Sequence, residues 1–167
     1  MPTLSINDVS VLIPVYNAEK TIQRAVDSVL LTGNLPKEIL IYDDASNDRT
    51  REIIEQHYGS NKRIKLIKAK KNLGAGVARQ ELLKAASGGL LAFLDADDEW
   101  LKNKLAQQVT LMNRENADLC ICSYEIYSDK GEYIGKRTPP KTVNYFKMHL
   151  ANWIPTSMVV FRSDLLN

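Results

Sequence analysis

Apolar positions along this chain follow two alternating patterns. Val9-Ser10-Val11-Leu12-Ile13 is a short run rich in β-branched residues and reads as a buried strand stopped by Pro14. Ile22, Ala25, Val26, Val29 and Leu30 then recur at helical spacing, with Asn17 as a candidate N-cap and Gly33 just past the end. Glu38 to Tyr42 predicts a second strand closed by Asp43-Asp44. Ser46-Asn47-Asp48 opens a helix carrying Ile53 and Ile54, which Gly59 can terminate. A third short strand covers Ile64 to Ile67. The next helix runs from Val77 to Ala86, after Gly74-Ala75-Gly76 and before Gly88-Gly89. Leu90 to Leu94 is the most apolar strand, closed by Asp95-Ala96-Asp97-Asp98, and Leu101, Leu105, Val109 and Met112 mark one face of a fourth helix. This alternation, followed by a strand near Leu119 to Ile126, predicts an α/β fold. Its sheet is mostly parallel, with right-handed crossovers and helices on both faces.

The pattern then changes. Asp129-Lys130-Gly131-Glu132 between two extended runs predicts a hairpin, Pro139-Pro140 marks a break, and Met158 to Phe161 predicts an added strand. Arg162 to Leu166 reads as the start of a helix. With no internal repeat and no linker, residues 1–167 are expected to form one domain. A length of 167 residues, 44% hydrophobic and 25% charged, matches an ordinary globular domain that needs no disulfide or metal staple.

Charge and rare residues narrow the class. Twenty-two Lys+Arg against 20 Asp+Glu give a net charge of +2, without the broad positive footprint that nucleic acid requires, so no nucleic-acid partner is expected. Cys120 and Cys122 share a strand face and read as buried small residues of a reducing compartment. His57 and His149 are too far apart to form a metal motif. No apolar run can span a bilayer, and the start lacks a secretory signal, so a cytoplasmic location is the expectation.

Ligands of open parallel sheets bind beyond the carboxyl ends of the strands. Pro14-Val15-Tyr16-Asn17, Asp43-Asp44 and Asp95-Ala96-Asp97-Asp98 all stand at such ends. Ordinary helix capping explains each group singly. Two acidic clusters on one rim repel, however, and a divalent cation relieves that conflict. Crowded oxygen ligands suit Mg²⁺ or Mn²⁺ completed by substrate phosphates, and Asp95 to Asp98 is the best candidate. Gly74-Ala75-Gly76 fits neither a Rossmann fingerprint nor a P-loop. A phosphate role with Arg79 one turn in, and a plain turn-and-cap role, stand level. Six basic residues, Lys62, Arg63, Lys65, Lys68, Lys70 and Lys71, read better as a charged edge strand than as a phosphate patch.

Four segments in order resemble family 2 glycosyltransferases. Val9 to Glu19 is similar to their opening strand and loop, and Glu38 to Thr50 to their second strand. Asn72 to Gln80 resembles their third segment, and Phe93 to Trp100 their DxD region. The resemblance implies a GT-A fold and metal-dependent, inverting transfer from a nucleotide-diphosphate sugar, most often a UDP-sugar, to a glycan or lipid-linked acceptor. It implies that Pro14, Val15, Tyr16 and Glu19 line the nucleoside pocket and that Asp44 reaches the base, with Asp43 as its neighbour. Arg79 would lie near base or phosphates. Asp95, Ala96 and Asp97 would form the DxD region, with Asp95, Asp97 and Asp98 around Mn²⁺ or Mg²⁺. The family's catalytic base follows a strand resembling Met158 to Phe161, in a later acidic motif. The chain ends at Asn167 before it, and Asp164, the only late carboxylate, reads as a first-turn helix residue. No base is therefore assigned, and a non-catalytic nucleotide-binding module is the alternative. Lipid-linked acceptors also leave peripheral contact with the inner face of the membrane open.

Overall fold

Four strands of the main sheet are parallel: β1 (Val9–Val15), β2 (Glu38–Asp43), β3 (Ile64–Lys68) and β4 (Leu90–Phe93). The computed structural model describes residues 3–31, 33, 35–139 and 154–166; Pro140 and His149 lie outside them. The helices between the strands are α1 (Ile22–Leu30), α2 (Thr50–Tyr58), α3 (Ala75–Ala85) and, after β4, α4 (Lys104–Glu115). Next come β5 (Leu119–Ile121), β6 (Tyr124–Tyr127), β7 (Tyr133–Arg137) and β8 (Val159–Arg162). The main sheet runs β3-β2-β1-β4-β8-β5, with β8 antiparallel to both of its neighbours, and β6 pairs with β7 in a separate hairpin.

Strand alternation assigns the two faces. Val9, Val11, Ile13 and Val15 join Ile39, Ile41, Leu90 and Ala92 beneath α1, α2 and α4, which contribute Val26, Ile54, Leu105 and Met112. Leu12, Leu40, Tyr42, Leu91 and Phe93 point the other way, onto Ala78 and Leu82 of α3. Helices thus cover both faces, as parallel strands buried on both sides require. The lysine-bearing β3 is an edge strand, in keeping with the edge reading of that basic stretch.

Several local expectations are corrected. Pro14 does not stop the first strand, which continues to Val15. The carbonyls of Val9 and Val15 face β2, accepting from Lys37 and Asp44, whereas that of Leu12 faces β4 and accepts from Leu94. Pro14 therefore faces β4, whose ladder ends at the Leu12–Phe93 pair, and its missing N–H leaves the pairing with β2 intact through Val15. Asn17 is not the cap of α1: that position is Thr21, and Asn17 sits in the left-handed region at φ 50°. Leu101 precedes α4 and is exposed, while Leu105, Val109 and Met112 are buried. The expected strand from Leu119 to Ile126 is two strands, because its partner β8 begins at Val159, opposite Ile121. The chain then leaves to pair with β7. Cys120 and Cys122 are free thiols, with Cys122 Sγ 3.8 Å from Met158 Sδ. The predicted final helix is one 3₁₀ turn, Ser163–Leu166. Among the described residues no helix is long and apolar enough to cross a membrane.

At the amino ends of the parallel strands, buried polar groups are satisfied. Glu38 accepts from the Ser10 hydroxyl at 2.8 Å, from the amide and hydroxyl of Ser87 at 2.8 Å each, and from Lys65 at 2.9 Å. Burial pushes its carboxyl up, but Lys65, Ser87 and Ser10 outweigh that and hold it at about 2. Gly88 donates to Ser10 Oγ, and a Cβ there would stand 2.5 Å from the Asp8 carbonyl, so the turn into β4 requires glycine.

Lys104 is not paired in this way. Its Nζ is buried without a hydrogen-bond partner among the described residues and lies 4.1 Å from the Trp100 ring centroid. Burial pulls its ammonium down from 10.5 to about 8, opposed by the thiols of Cys122 and Cys120. The unfolded chain therefore binds more protons between about pH 8 and 10.5, and this group's penalty is present below that window and relieved through it. Lys104→Met is expected to stabilise the fold at pH 7 by about 1–2 kcal/mol, with an advantage that shrinks as pH rises to 10. Chemical denaturation of both proteins across pH 7–10 checks this; an advantage independent of pH would contradict it.

Candidate functional site

At the opposite, carboxyl rim, the loops after β1 and β2 are sewn together. Asn17 donates its amide to Ser46 Oγ at 2.9 Å and accepts the Asn47 amide at 2.9 Å. Ala18 N–H reaches Thr50 Oγ1 at 2.8 Å, Glu19 N–H reaches Asp48 Oδ2 at 3.1 Å, and Glu19 Oε2 accepts the Arg49 amide at 3.0 Å. Left-handed backbone at Asn17 and at Ala45, φ 61°, turns each loop sharply off its strand. Asp48 also accepts from the Thr50 hydroxyl at 2.6 Å. Burial pushes the Asp48 carboxyl up, but the bonds from Thr50 and Glu19 outweigh it and hold the group below its ordinary range.

The two aspartates after β2 have different jobs. Asp43 is fully buried, accepting from the Ser46 amide at 3.1 Å and pairing with Arg51, which also reaches the Ala69 carbonyl at 3.2 Å. Asp44 accepts the Leu73 amide on one oxygen at 2.9 Å and the Gly74 amide on the other at 2.7 Å. It thereby fixes the entry to α3, where Gly74 holds φ 87°. Gly74 is thus a turn-and-cap residue that also borders the cavity.

These loops enclose an open cavity of about 790 Å³, within the usual range for small-molecule sites. Of the residues selected from sequence, Pro14, Val15, Tyr16, Glu19, Asp44, Arg79, Asp95, Ala96 and Asp97 line it; Asp43 and Asp98 do not. Asp43 is turned into the protein by Arg51. Asp48, Lys20 and Asn72 also line the cavity and were not singled out as ligand groups. Asp48 carried a helix-opening signal, whereas Lys20 and Asn72 carried none beyond proximity to chosen segments.

The acidic turn after β4 is only partly free. Asp95 pairs with Arg79 Nη2 at 2.6 Å and accepts from Thr156 Oγ1 at 3.0 Å. Burial raises the Asp98 carboxyl; a hydrogen bond from Ser157 lowers it, and the charges of Asp97 and Asp95 raise it further. Asp97 is exposed and accepts no side-chain hydrogen bond among the described residues. Arg79 Nε is buried without a partner, an N–H donor in a side chain that lines the cavity. No group of three or more His, Cys, Asp or Glu among the described residues could hold a metal by itself. An exposed carboxylate in the same cavity as a donor for phosphate oxygens nevertheless fits Mg²⁺ or Mn²⁺, which take one or two carboxylates and complete their shell with phosphate oxygens. Asp164 is at the other rim: β8 runs antiparallel to β4, and Ser163 donates to the Gly89 carbonyl before β4 begins.

Residues 10–163 match Glycosyl transferase family 2, and the chain belongs to that family. It is 38% identical over 159 residues to the UDP-Glc:alpha-D-GlcNAc-diphosphoundecaprenol beta-1,3-glucosyltransferase WfgD of Escherichia coli, covering 95% of this chain and 62% of WfgD. It is 38% identical to the putative teichuronic acid biosynthesis glycosyltransferase TuaG of Bacillus subtilis (strain 168), over 77% of this chain and 51% of TuaG. The crystal structure of S. aureus TarS 1-349 in complex with UDP-GlcNAc superposes with a TM-score of 0.72 at 26% identity, covering 95% of this chain and 46% of that one. The architecture is thus the GT-A fold, and the chain spans about half to three-fifths of the length of these relatives.

Asp44 and Asp97 are expected to respond oppositely to truncation. Asp44→Ala leaves two amides unpaired and should cost about 2 kcal/mol, or roughly 5 °C in Tm. Asp97→Ala removes an exposed carboxylate and should leave Tm within about 1 °C. Thermal denaturation of the two variants checks this; equal losses would contradict the division of labour.

Proposed function

We propose that this chain is a nucleotide-sugar-dependent glycosyltransferase whose cavity binds a UDP-sugar through a divalent cation. The observation that carries the reading is one cavity lined by the free Asp97 carboxylate and by Arg79, whose Nε is buried without a partner. A diphosphate with Mn²⁺ or Mg²⁺ would meet both needs: Asp97 would help to hold the cation, and Arg79 would donate to the phosphate oxygens. The bound cation would supply Lewis-acid stabilisation of the charge that grows on the departing diphosphate. Asp44, with both oxygens facing amides, keeps further lone pairs for a donor on the nucleobase. Pro14, Val15 and Tyr16 give that base an apolar wall.

Support for the substrates comes from the relatives. WfgD is named for UDP-Glc and a diphosphoundecaprenol-linked acceptor, and TarS was solved with UDP-GlcNAc. We extend the same chemistry to this chain: a UDP-hexose donor, a lipid-linked glycan acceptor and inversion at the anomeric carbon. Such an acceptor brings the protein to the inner face of the membrane peripherally.

Isothermal titration with UDP tests the donor site. Binding is expected with Mn²⁺ or Mg²⁺ and is expected to disappear with chelator. Asp97→Ala should weaken it about tenfold or more, ~1.4 kcal/mol, whereas Asp129→Ala in the hairpin turn should not. Binding of UDP indifferent to metal, or equal effects of the two variants, would overturn the assignment.

A further inference from the structure

The acidic turn at 95–98 is held by residues some sixty positions away in sequence. The Thr156 hydroxyl donates to Asp95 Oδ2 at 3.0 Å while Arg79 takes Oδ1 at 2.6 Å, so both oxygens of that carboxylate are engaged. Ser157 is fully buried, and its hydroxyl accepts the Asp95 amide at 2.9 Å. Its carbonyl also accepts the Trp100 indole N–H at 3.1 Å. From the other side, Arg24 donates to the Asp97 carbonyl at 3.1 Å and pairs with Glu99 at 2.6 Å. Of the two carboxylates of the turn that line the cavity, Asp95 is engaged on both oxygens, and Asp97 has no side-chain hydrogen-bond partner among the described residues.

We infer that Thr156 and Ser157 are positioning residues of the donor site: by holding the carboxylate and the amide of Asp95 they fix the turn that offers Asp97 to the cation. The inference rests on the proposed nucleotide-sugar reading. Groups that hydrogen-bond metal-site carboxylates fix their direction, and losing one typically costs metal affinity rather than fold. Without its Thr156 bond, Asp95 keeps only its Arg79 pair, and the turn that carries Asp97 loses one of the anchors that fix its direction. The agent is a hydroxyl, which serine shares with threonine and valine lacks at nearly equal size.

The test titrates UDP into the full chain at graded Mn²⁺ concentrations, by calorimetry, with thermal denaturation in parallel. Thr156→Val should raise the Mn²⁺ concentration for half-maximal UDP binding by about tenfold, with near-normal UDP affinity at saturating Mn²⁺. Thr156→Ser should restore the wild-type requirement, and Ser157→Ala should shift it in the same direction as valine. Thr156→Ala is read in the same way should the valine variant not fold. A folded valine or alanine variant with the wild-type Mn²⁺ requirement overturns the inference and leaves the nucleotide site standing. So does a serine variant as defective as valine. Wild-type protein with no Mn²⁺-dependent UDP binding removes the proposed function, and this inference with it.

Discussion

Everything at the candidate site depends on the parallel pairing of β1 between β2 and β4. Ser10 to Val15 align with Glu38 to Asp43, and Val9 to Leu12 with Leu90 to Phe93. Because all three strands point the same way, Tyr16, Asp44 and Asp95 emerge on one rim. An antiparallel partner at either position would send one of them to the far side. The register is in turn fixed by burial on both faces, since a one-residue slip would exchange the residues under α1 with those under α3.

The two rims use the same kinds of residue to opposite ends. At the amino rim, Glu38 collects donors from Ser10, Ser87 and Lys65, and its charge is spent on holding strands together. At the carboxyl rim, Asp43 and Asp44 do similar work for the loops, yet Asp97 and Arg79 Nε are left with capacity to spare. Both border the same cavity, unlike the buried Lys104 Nζ, which lies against Trp100 away from it. That cavity is the one for which a nucleotide-sugar donor is proposed.

The central strands and helices were legible because their apolar residues repeat locally, as at Ile22, Ala25, Val26 and Val29, and the hairpin because Asp129-Lys130-Gly131 has turn chemistry. Local pattern failed where a distant partner decides. Pro14 is tolerated because its donor edge faces away from β2, and the run after Leu119 divides because β8 starts at Val159. In the site, the acidic clusters and Arg79 stood out as types and spacings. Asp43 could not be separated from Asp44 without seeing Arg51, and Thr156-Ser157 carried no motif at all. Their roles exist only as contacts across the fold.

Amide chemical-shift mapping of the labelled chain, titrated with UDP in the presence of Mg²⁺, tests the central claim most directly. The account predicts perturbations gathered in the loops at 14–21, 44–50, 72–79 and 95–98, with the β6–β7 hairpin unmoved. Perturbations centred on the amino rim around Glu38, or on the hairpin, would contradict it.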